Sequence, residues 1–300
     1  MNKKCGFVTI IGAPNVGKST LTNYLIGEKI TIVSPKVQTT RATIKGIFLE
    51  DNTQLIFADT PGIFEAKKNL EKSIVANALE NIAKESQIVF MCDAKKLNQV
   101  ENDLIFYHIK LLKRKVLIVI NKIDLITKEQ LDGIIKKYKE LEISEEVFAI
   151  SAQEGTDIMK LKKHLISKAP DSEFLYPESD LTTVPVRFLA QEITREKLFL
   201  LLAKELPYNL SVETISWKED KQSHIVIHQD IYVSKEGQKK IIIGSRGSLI
   251  KEVGSLAREE IAKLTGVKTH LFLHVKVRAD WLDKPYMYQH MGLKFPKKNN

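Results

Sequence analysis

Apolar positions over the first 168 residues fall in short, β-branched runs separated by longer stretches of helical spacing. Phe7–Ile11, Leu55–Ala58, Ile88–Cys92, Val116–Ile120 and Val147–Ile150 are continuous rather than alternating. Such runs read as parallel strands covered on both faces. Helical patterns fill the intervals at Ser19–Ile26, Leu70–Lys84, Glu101–Leu112, Lys128–Leu141 and Asp157–Ser167. Thr43–Glu50 reads as an additional strand, antiparallel to its successor and hairpinned by Asp51-Asn52. The alternation predicts an α/β domain over residues 1–168, a doubly wound and mainly parallel sheet.

The pattern changes after Ser167. Residues 169–184 are polar and carry Pro170 and Pro177, which reads as an interdomain linker. From residue 185 to 285 a smaller α+β module is expected. Val186–Lys204 reads as a helix, opened by Pro185 and stopped by Pro207. Ser211–Trp217 and His224–Val233 alternate like paired strands. A turn at Gly237, a short strand at Lys240–Ile243, a helix at Leu249–Leu264 closed by Gly266, and a last strand at His270–Arg278 complete the order. Residues 286–300 are left as a tail.

Three hundred residues with 43% hydrophobic and 28% charged side chains are ordinary for a folded protein of about two domains. Cys5 and Cys92 are the two cysteines, which fits a reducing cytoplasm rather than a disulfide scaffold. The apolar run after the N-terminus is short and reads as the first strand, not a signal peptide. No stretch approaches the roughly 20 apolar residues of a membrane span. The net charge of +9 is unevenly spread: residues 235–300 carry 14 Lys and Arg against 6 Asp and Glu. That basic end is compatible with a phosphate-rich partner.

The chemistry concentrates at strand ends. Gly12-Ala13-Pro14-Asn15-Val16-Gly17-Lys18-Ser19 fits G-x-x-x-x-G-K-[ST] between a predicted strand and a predicted helix. Backbone N–H groups of such a loop, with the helix N-terminus of Thr20 behind it, can cradle phosphate oxygens. Lys18 would reach the β- and γ-phosphates and the Ser19 hydroxyl would ligate Mg²⁺. Asp59-Thr60-Pro61-Gly62 follows a strand, so Asp59 can serve Mg²⁺ and the Gly62 N–H can meet the γ-phosphate. Asn121-Lys122-Ile123-Asp124 ends another. The Asp124 carboxylate can accept from guanine N1–H and its 2-amino group, a donor pair that adenine lacks. Asn121 would brace that loop and the Lys122 stem would cover the base. Ser151-Ala152 is positioned to offer a backbone N–H to the guanine carbonyl. In Gln38-Thr39-Thr40-Arg41, Thr40 is the candidate to close on Mg²⁺ and the γ-phosphate, with Thr39 as its alternative.

These clusters, in this order, resemble the five signature loops of the GTPase family. The resemblance implies GTP and GDP as ligands and Lys18, Thr40 and Gly62 as the residues nearest the reacting phosphate. Many small GTPases place a water-positioning glutamine where Ile63 stands here, so slow intrinsic hydrolysis is expected. In related translation-linked GTPases an asparagine at the position of Asn15 helps bind K⁺, which makes Asn15 a candidate potassium ligand; a simple turn preference is the alternative.

Gly244-Ser245-Arg246-Gly247 precedes the Leu249 helix. Two glycines admit a nucleic-acid backbone and Arg246 can pair with phosphate. With Lys240 and Lys251 beside it, the segment resembles a type II KH domain, and Lys239, Arg258 and Lys268 would extend its basic surface. A GTPase domain followed by a type II KH domain resembles the Era family. Gln38-Thr-Thr-Arg41 and Ala279-Asp280-Trp281 strengthen the likeness. It implies a mostly monomeric bacterial GTPase that binds near the 3′ end of small-subunit (16S) ribosomal RNA, assists 30S maturation in the cytoplasm, and touches the inner membrane loosely. Two other readings are a nucleotide kinase with the same phosphate loop and an RNA-binding protein with a silent nucleotide domain. Neither accounts for Asp124 together with intact Lys18, Ser19 and Asp59. His270 and His274 share one side of a predicted strand; further ligands would be needed for a metal there. Tyr286 and Tyr288 are candidates for base stacking or for packing.

Overall fold

The computed structural model describes residues 2–36, 39–80, 87–97, 100–111 and 113–296. The chain divides into two compact units. The first runs to Thr31 and then takes Thr40–Thr183; the second takes Ile32–Thr39 and Val184–Phe295.

In the first unit, strands β1 (Lys4–Gly12), β2 (Ile44–Glu50), β3 (Thr53–Asp59), β4 (Gln87–Asp93), β5 (Val116–Asn121) and β6 (Ser144–Ile150) form one sheet in the order β2-β3-β1-β4-β5-β6. Only β2 runs antiparallel, through its hairpin with β3. The rest pair in parallel. Helices α1 (Lys18–Ile26), α2 (Asn69–Glu80), α3 (Val100–Leu111), α4 (Lys128–Lys139) and α5 (Ile158–Ser167) connect them. Strand order reverses at β1, which has β3 on one side and β4 on the other. Ligands of such sheets bind beyond the strand ends at that reversal, where the Gly12 loop lies. Val8, Ile10 and Ile11 of β1 are completely buried, as a strand covered on both faces requires. Each contributes about 1.5–3 kcal/mol of transfer free energy. The predicted helix ends Leu112 and residues 81–84 lie outside the described residues.

The segment read as a linker is strapped to the first unit. Cys5 N–H donates to the Pro170 carbonyl, Ser172 N–H to the Lys3 carbonyl, and the Gln54 side chain holds Leu175 and Tyr176. Leu181 and Thr183 then pair with Ile47 and Lys45 along the edge strand β2. An exposed strand edge is covered in this way.

The second unit contains α6 (Val186–Leu201), β7 (Leu210–Glu219), β8 (Ile225–Val233), α7 (Glu236–Ile243), α8 (Ser248–Thr265), β9 (Thr269–Val277) and α9 (Pro285–His290). One expectation is corrected here. Residues 236–243 are a helix, not a turn and strand. The Gln238 side chain accepts from the N–H groups of Ser234 and Lys235 and starts the helix. The isoleucine run is not strand-like in burial either: Ile242 is buried while Ile241 is exposed. The sheet is also mixed: β7 and β8 are antiparallel, but β8 and β9 are parallel because the α7–α8 crossover separates them. Beyond β9, Met287 and Tyr288 of α9 are fully buried, so Tyr288 packs rather than offering a stacking surface.

Candidate nucleotide site and nucleic-acid interface

The Gly12–Ser19 turn is shaped by backbone demands. Gly17 has φ 103°, and a Cβ there would lie 2.3 Å from the Asn121 side-chain nitrogen. A Cβ at Gly12 would lie 2.3 Å from the Met91 carbonyl, and one at Gly62 within 2.8 Å of the Pro14 backbone. Asn15 adopts φ 64°, a region asparagine tolerates in turns. Three loops are thus pressed together with no room for side chains at their contact points.

Ser19, Thr40 and Asp59 converge. Asp59 Oδ2 accepts from Ser19 Oγ at 2.7 Å, from Thr31 Oγ1 at 3.0 Å and from Thr40 Oγ1 at 3.3 Å. Ser19 and Thr40 hydroxyls are 2.9 Å apart. Asp59 Oδ1 is buried and has no hydrogen-bond partner. An orphaned carboxylate oxygen beside three hydroxyls is a donor set suited to a hard cation such as Mg²⁺. Thr31 was not anticipated; only the fold brings it here. The Thr39 hydroxyl turns instead to the Lys36 and Ser34 carbonyls, at 2.6 and 3.2 Å. Gln38 lies outside the described residues.

The Lys18 ammonium donates to the Ala13 and Gly12 carbonyls at 2.9 and 3.2 Å. Burial pushes its pKa down to about 8, partly opposed by the Asp59 charge. Burial pushes the Asp59 carboxyl up, opposed by the Ser19 hydrogen bond and then by Lys18. A bound triphosphate would restore the lysine charge. At about pH 8.5 GTP binding in the absence of divalent cation should therefore take up as much as about one proton. Near pH 7 the free lysine is already charged and uptake should vanish. Calorimetry in buffers of differing ionisation enthalpy checks this, and Lys18→Met should abolish the uptake; an equal uptake in the variant would assign it to another group.

Asn121 is a buried clamp: Nδ2 donates to the Val16 carbonyl at 2.7 Å and Oδ1 accepts from Ala152 N–H at 2.8 Å. Lys122 Nζ donates to the Asn15 carbonyl at 2.8 Å and to Asp93 Oδ2 at 2.7 Å. Asp93, at the end of β4, was missed, although the strand-end rule that flags Asp59 applies to it equally. Asp124 is exposed on the one-turn segment Ile123–Leu125. At the Ser151-Ala152 loop, Ser151 N–H donates to the Thr156 carbonyl and Ala152 N–H to Asn121 Oδ1, which joins this loop to the Asn121 clamp. The Thr60 hydroxyl is likewise committed, to the Ile10 carbonyl at 2.6 Å, and Pro61 is buried next to it. Ile63 is fully buried and its N–H donates to the Gly12 carbonyl.

In the second unit Gly244 (φ 74°), Arg246 (φ 50°) and Gly247 (φ 78°) form a tight left-handed loop between α7 and α8. A Cβ at Gly244 would lie 2.8 Å from the Leu249 nitrogen, whereas nothing lies within 4 Å of one at Gly247. Lys240, Ser245, Arg246 and Lys251 are exposed around the loop. The arrangement can present phosphate with an open backbone, a guanidinium and two ammonium groups.

The family described as 50S ribosome-binding GTPase matches residues 7–122, and the KH domain family matches residues 205–282. GTPase Era of Afipia carboxidovorans is 45% identical over 294 residues, covering 98% of this chain and 96% of that protein. GTPase Era of Brucella suis is 42% identical over 293 residues, covering 98% and 94%. The chain belongs to the Era family of GTPases. Among solved structures, Era in complex with MgGDPNP and nucleotides 1506–1542 of 16S ribosomal RNA superposes with a TM-score of 0.92 at 39% identity, covering 97% of this chain and 99% of that one. An Aquifex aeolicus Era variant bound to GDP·AlF4⁻ superposes with a TM-score of 0.89 at 39% identity, covering 96% and 99%. The α/β GTPase unit and the following KH domain are thus both those of the Era family.

Proposed function

We propose that this Era-family GTPase uses its nucleotide state to control binding of small-subunit ribosomal RNA through the Gly244–Gly247 loop, and so assists 30S maturation. The observation that carries the reading is the presence, in one chain, of the Ser19–Thr40–Asp59 convergence and an exposed, basic Gly244–Gly247 loop. The solved Era complex with a 16S fragment supports ribosomal RNA as the partner.

In this reading the Gly12–Ser19 loop holds the phosphates, Asp124 selects guanine, and Asn121 and Lys122 fix the base loop against the phosphate loop. Ser19, Thr40 and Asp59 would hold Mg²⁺, which when bound offsets phosphate charge. Asn15 remains the candidate for K⁺. Lys18 and the Gly62 N–H oppose the charge that develops on the γ-phosphate as water attacks in line. No side chain is assigned as general base, and the buried Ile63 supports slow intrinsic hydrolysis. Thr40 loses its γ-phosphate contact on hydrolysis. Its neighbour Thr39 is held in the second unit, where its carbonyl accepts from Arg195. That chain connection supports a switch in which release of Thr40 is felt by the KH domain. The protein would act as a monomer in the cytoplasm. Any contact with the inner membrane would be peripheral, since no described helix is long and apolar enough to cross a membrane.

Crosslinking in cells followed by sequencing of the bound RNA tests the partner; reads spread over unrelated transcripts would sink it. Gly247→Asp tests the surface. Its Cβ points into open space, and the left-handed φ costs about 1 kcal/mol. A carboxylate placed against phosphate should weaken RNA binding at least about tenfold. GTP hydrolysis without RNA should be unchanged. Wild-type RNA affinity in this variant would remove the loop from the interface.

A further inference from the structure

The imidazole of His270 does not pair with His274, which stacks on His228 instead. It faces two groups from a different part of the chain. Asp220 directly follows β7 and His224 directly precedes β8, joined by a turn that Asp220 N–H closes on the His224 carbonyl at 2.9 Å. In the parallel pairing of β8 with β9, Val226 lies opposite His270. His224 is two residues before Val226, so it reaches the same face of the sheet. The His224 and His270 ring centres are 5.6 Å apart. One ligand atom from each of Asp220, His224 and His270 lies within 4.8 Å of the other two.

We propose that Asp220, His224 and His270 form a divalent transition-metal site at the turn end of the KH sheet, best matched to Zn²⁺. Two imidazoles and a carboxylate are a common Zn²⁺ ligand set, and a fourth position is left for water. The set is borderline in softness, unlike the all-oxygen Ser19–Thr40–Asp59 group, so the two sites call for different ions. The carboxylate is already oriented. Asp220 Oδ1 accepts from the N–H groups of Gln222 and His224 at 2.8 and 2.9 Å, which leaves Oδ2 facing His224 Nδ1 at 3.4 Å. Such hydrogen bonds from a second layer are typical of ligating carboxylates. His224 Nδ1 is buried and makes no hydrogen bond; it has Asp220 Oδ2 as an ion-pair neighbour at 3.4 Å, a spacing that two ligands of one ion can take. All three residues keep partial solvent access, so an ion can enter. A bound ion would clip the β7–β8 turn to the start of β9, closing the stretch that contains α7, the Gly244–Gly247 loop and α8.

The experiment uses the untagged full chain, stripped with chelator and held with GDP and Mg²⁺ so that the nucleotide pocket is occupied. Zn²⁺ added alone should bind at one equivalent and survive desalting. Co²⁺ in its place should give visible bands of nitrogen-and-oxygen ligation. His224→Gln and His270→Gln should each weaken Zn²⁺ binding at least about tenfold, with circular dichroism and GTP hydrolysis unchanged. Less than stoichiometric Zn²⁺ on the parent chain, or equal affinity in both variants, overturns the site. Should a variant misfold, the Co²⁺ spectrum of the intact chain decides: a spectrum without imidazole ligation rejects it.

Discussion

Replacing Asp124 with asparagine is expected to lower GTP affinity by about 10²–10³-fold and to raise affinity for xanthosine triphosphate. The carboxylate accepts two hydrogen bonds, so it suits a base edge that presents two donors, as guanine N1–H and the 2-amino group do. Asparagine offers one acceptor and one donor. Xanthine carries N1–H beside a carbonyl, which matches that pair. Asp124 is exposed on the short Ile123–Leu125 segment, so the change should leave stability within about 0.5 kcal/mol. Competition between GDP and XDP for a fluorescent nucleotide measures the preference directly. An unchanged preference ratio would remove Asp124 from base recognition.

The phosphate loop was readable in the sequence because its residues are contiguous and each answers a local demand. Gly12 and Gly17 are needed where a Cβ would strike Met91 and Asn121, and Lys18 opens α1. The strand–helix alternation was readable because parallel strands covered on both faces are short, continuous and apolar. What escaped was non-local. Thr31 joins Asp59 across 28 residues with no local signal, and Asp93, which its strand-end position does mark, joins Lys122 across 29 residues that do not name the partner. Residues 236–243 misled for a different reason. A run of three isoleucines favours a strand, but the Gln238 side chain caps a helix and tertiary packing buries only Ile242. The histidines show the same limit. The period-2 rule correctly put His270 and His274 on one face, yet the partners of His270 come from a turn some 50 residues earlier in the chain.

Lys18→Met should cost hydrolysis about 10²–10³-fold and, in the nucleotide-free chain, raise stability. The first effect follows from removing a buried ammonium held against the phosphate loop. The second follows from the sign of its pKa. A lysine lowered from its ordinary value to about 8 is destabilising in the folded state wherever it is protonated there, by on the order of 3 kcal/mol near pH 7. Methionine has similar length and no charge to desolvate. Two hydrogen bonds to the Ala13 and Gly12 carbonyls are lost, at about 1 kcal/mol each. Burial already pushes the Asp59 carboxyl up, and loss of the Lys18 counter-charge pushes it further in the same direction. The net gain is about 1 kcal/mol, or ~2–4 °C in Tm. Because the penalty is complete below the folded pKa and disappears as pH rises toward the unfolded value, the gain should shrink between about pH 8 and pH 10. Saturating GTP should reverse the order, since bound phosphate stabilises the ammonium and only the parent chain can use it. Melting curves at two pH values, with and without nucleotide, test all three signs. A variant less stable than the parent without nucleotide at pH 7 would show that the Lys18 charge supports the fold rather than being held there for the substrate.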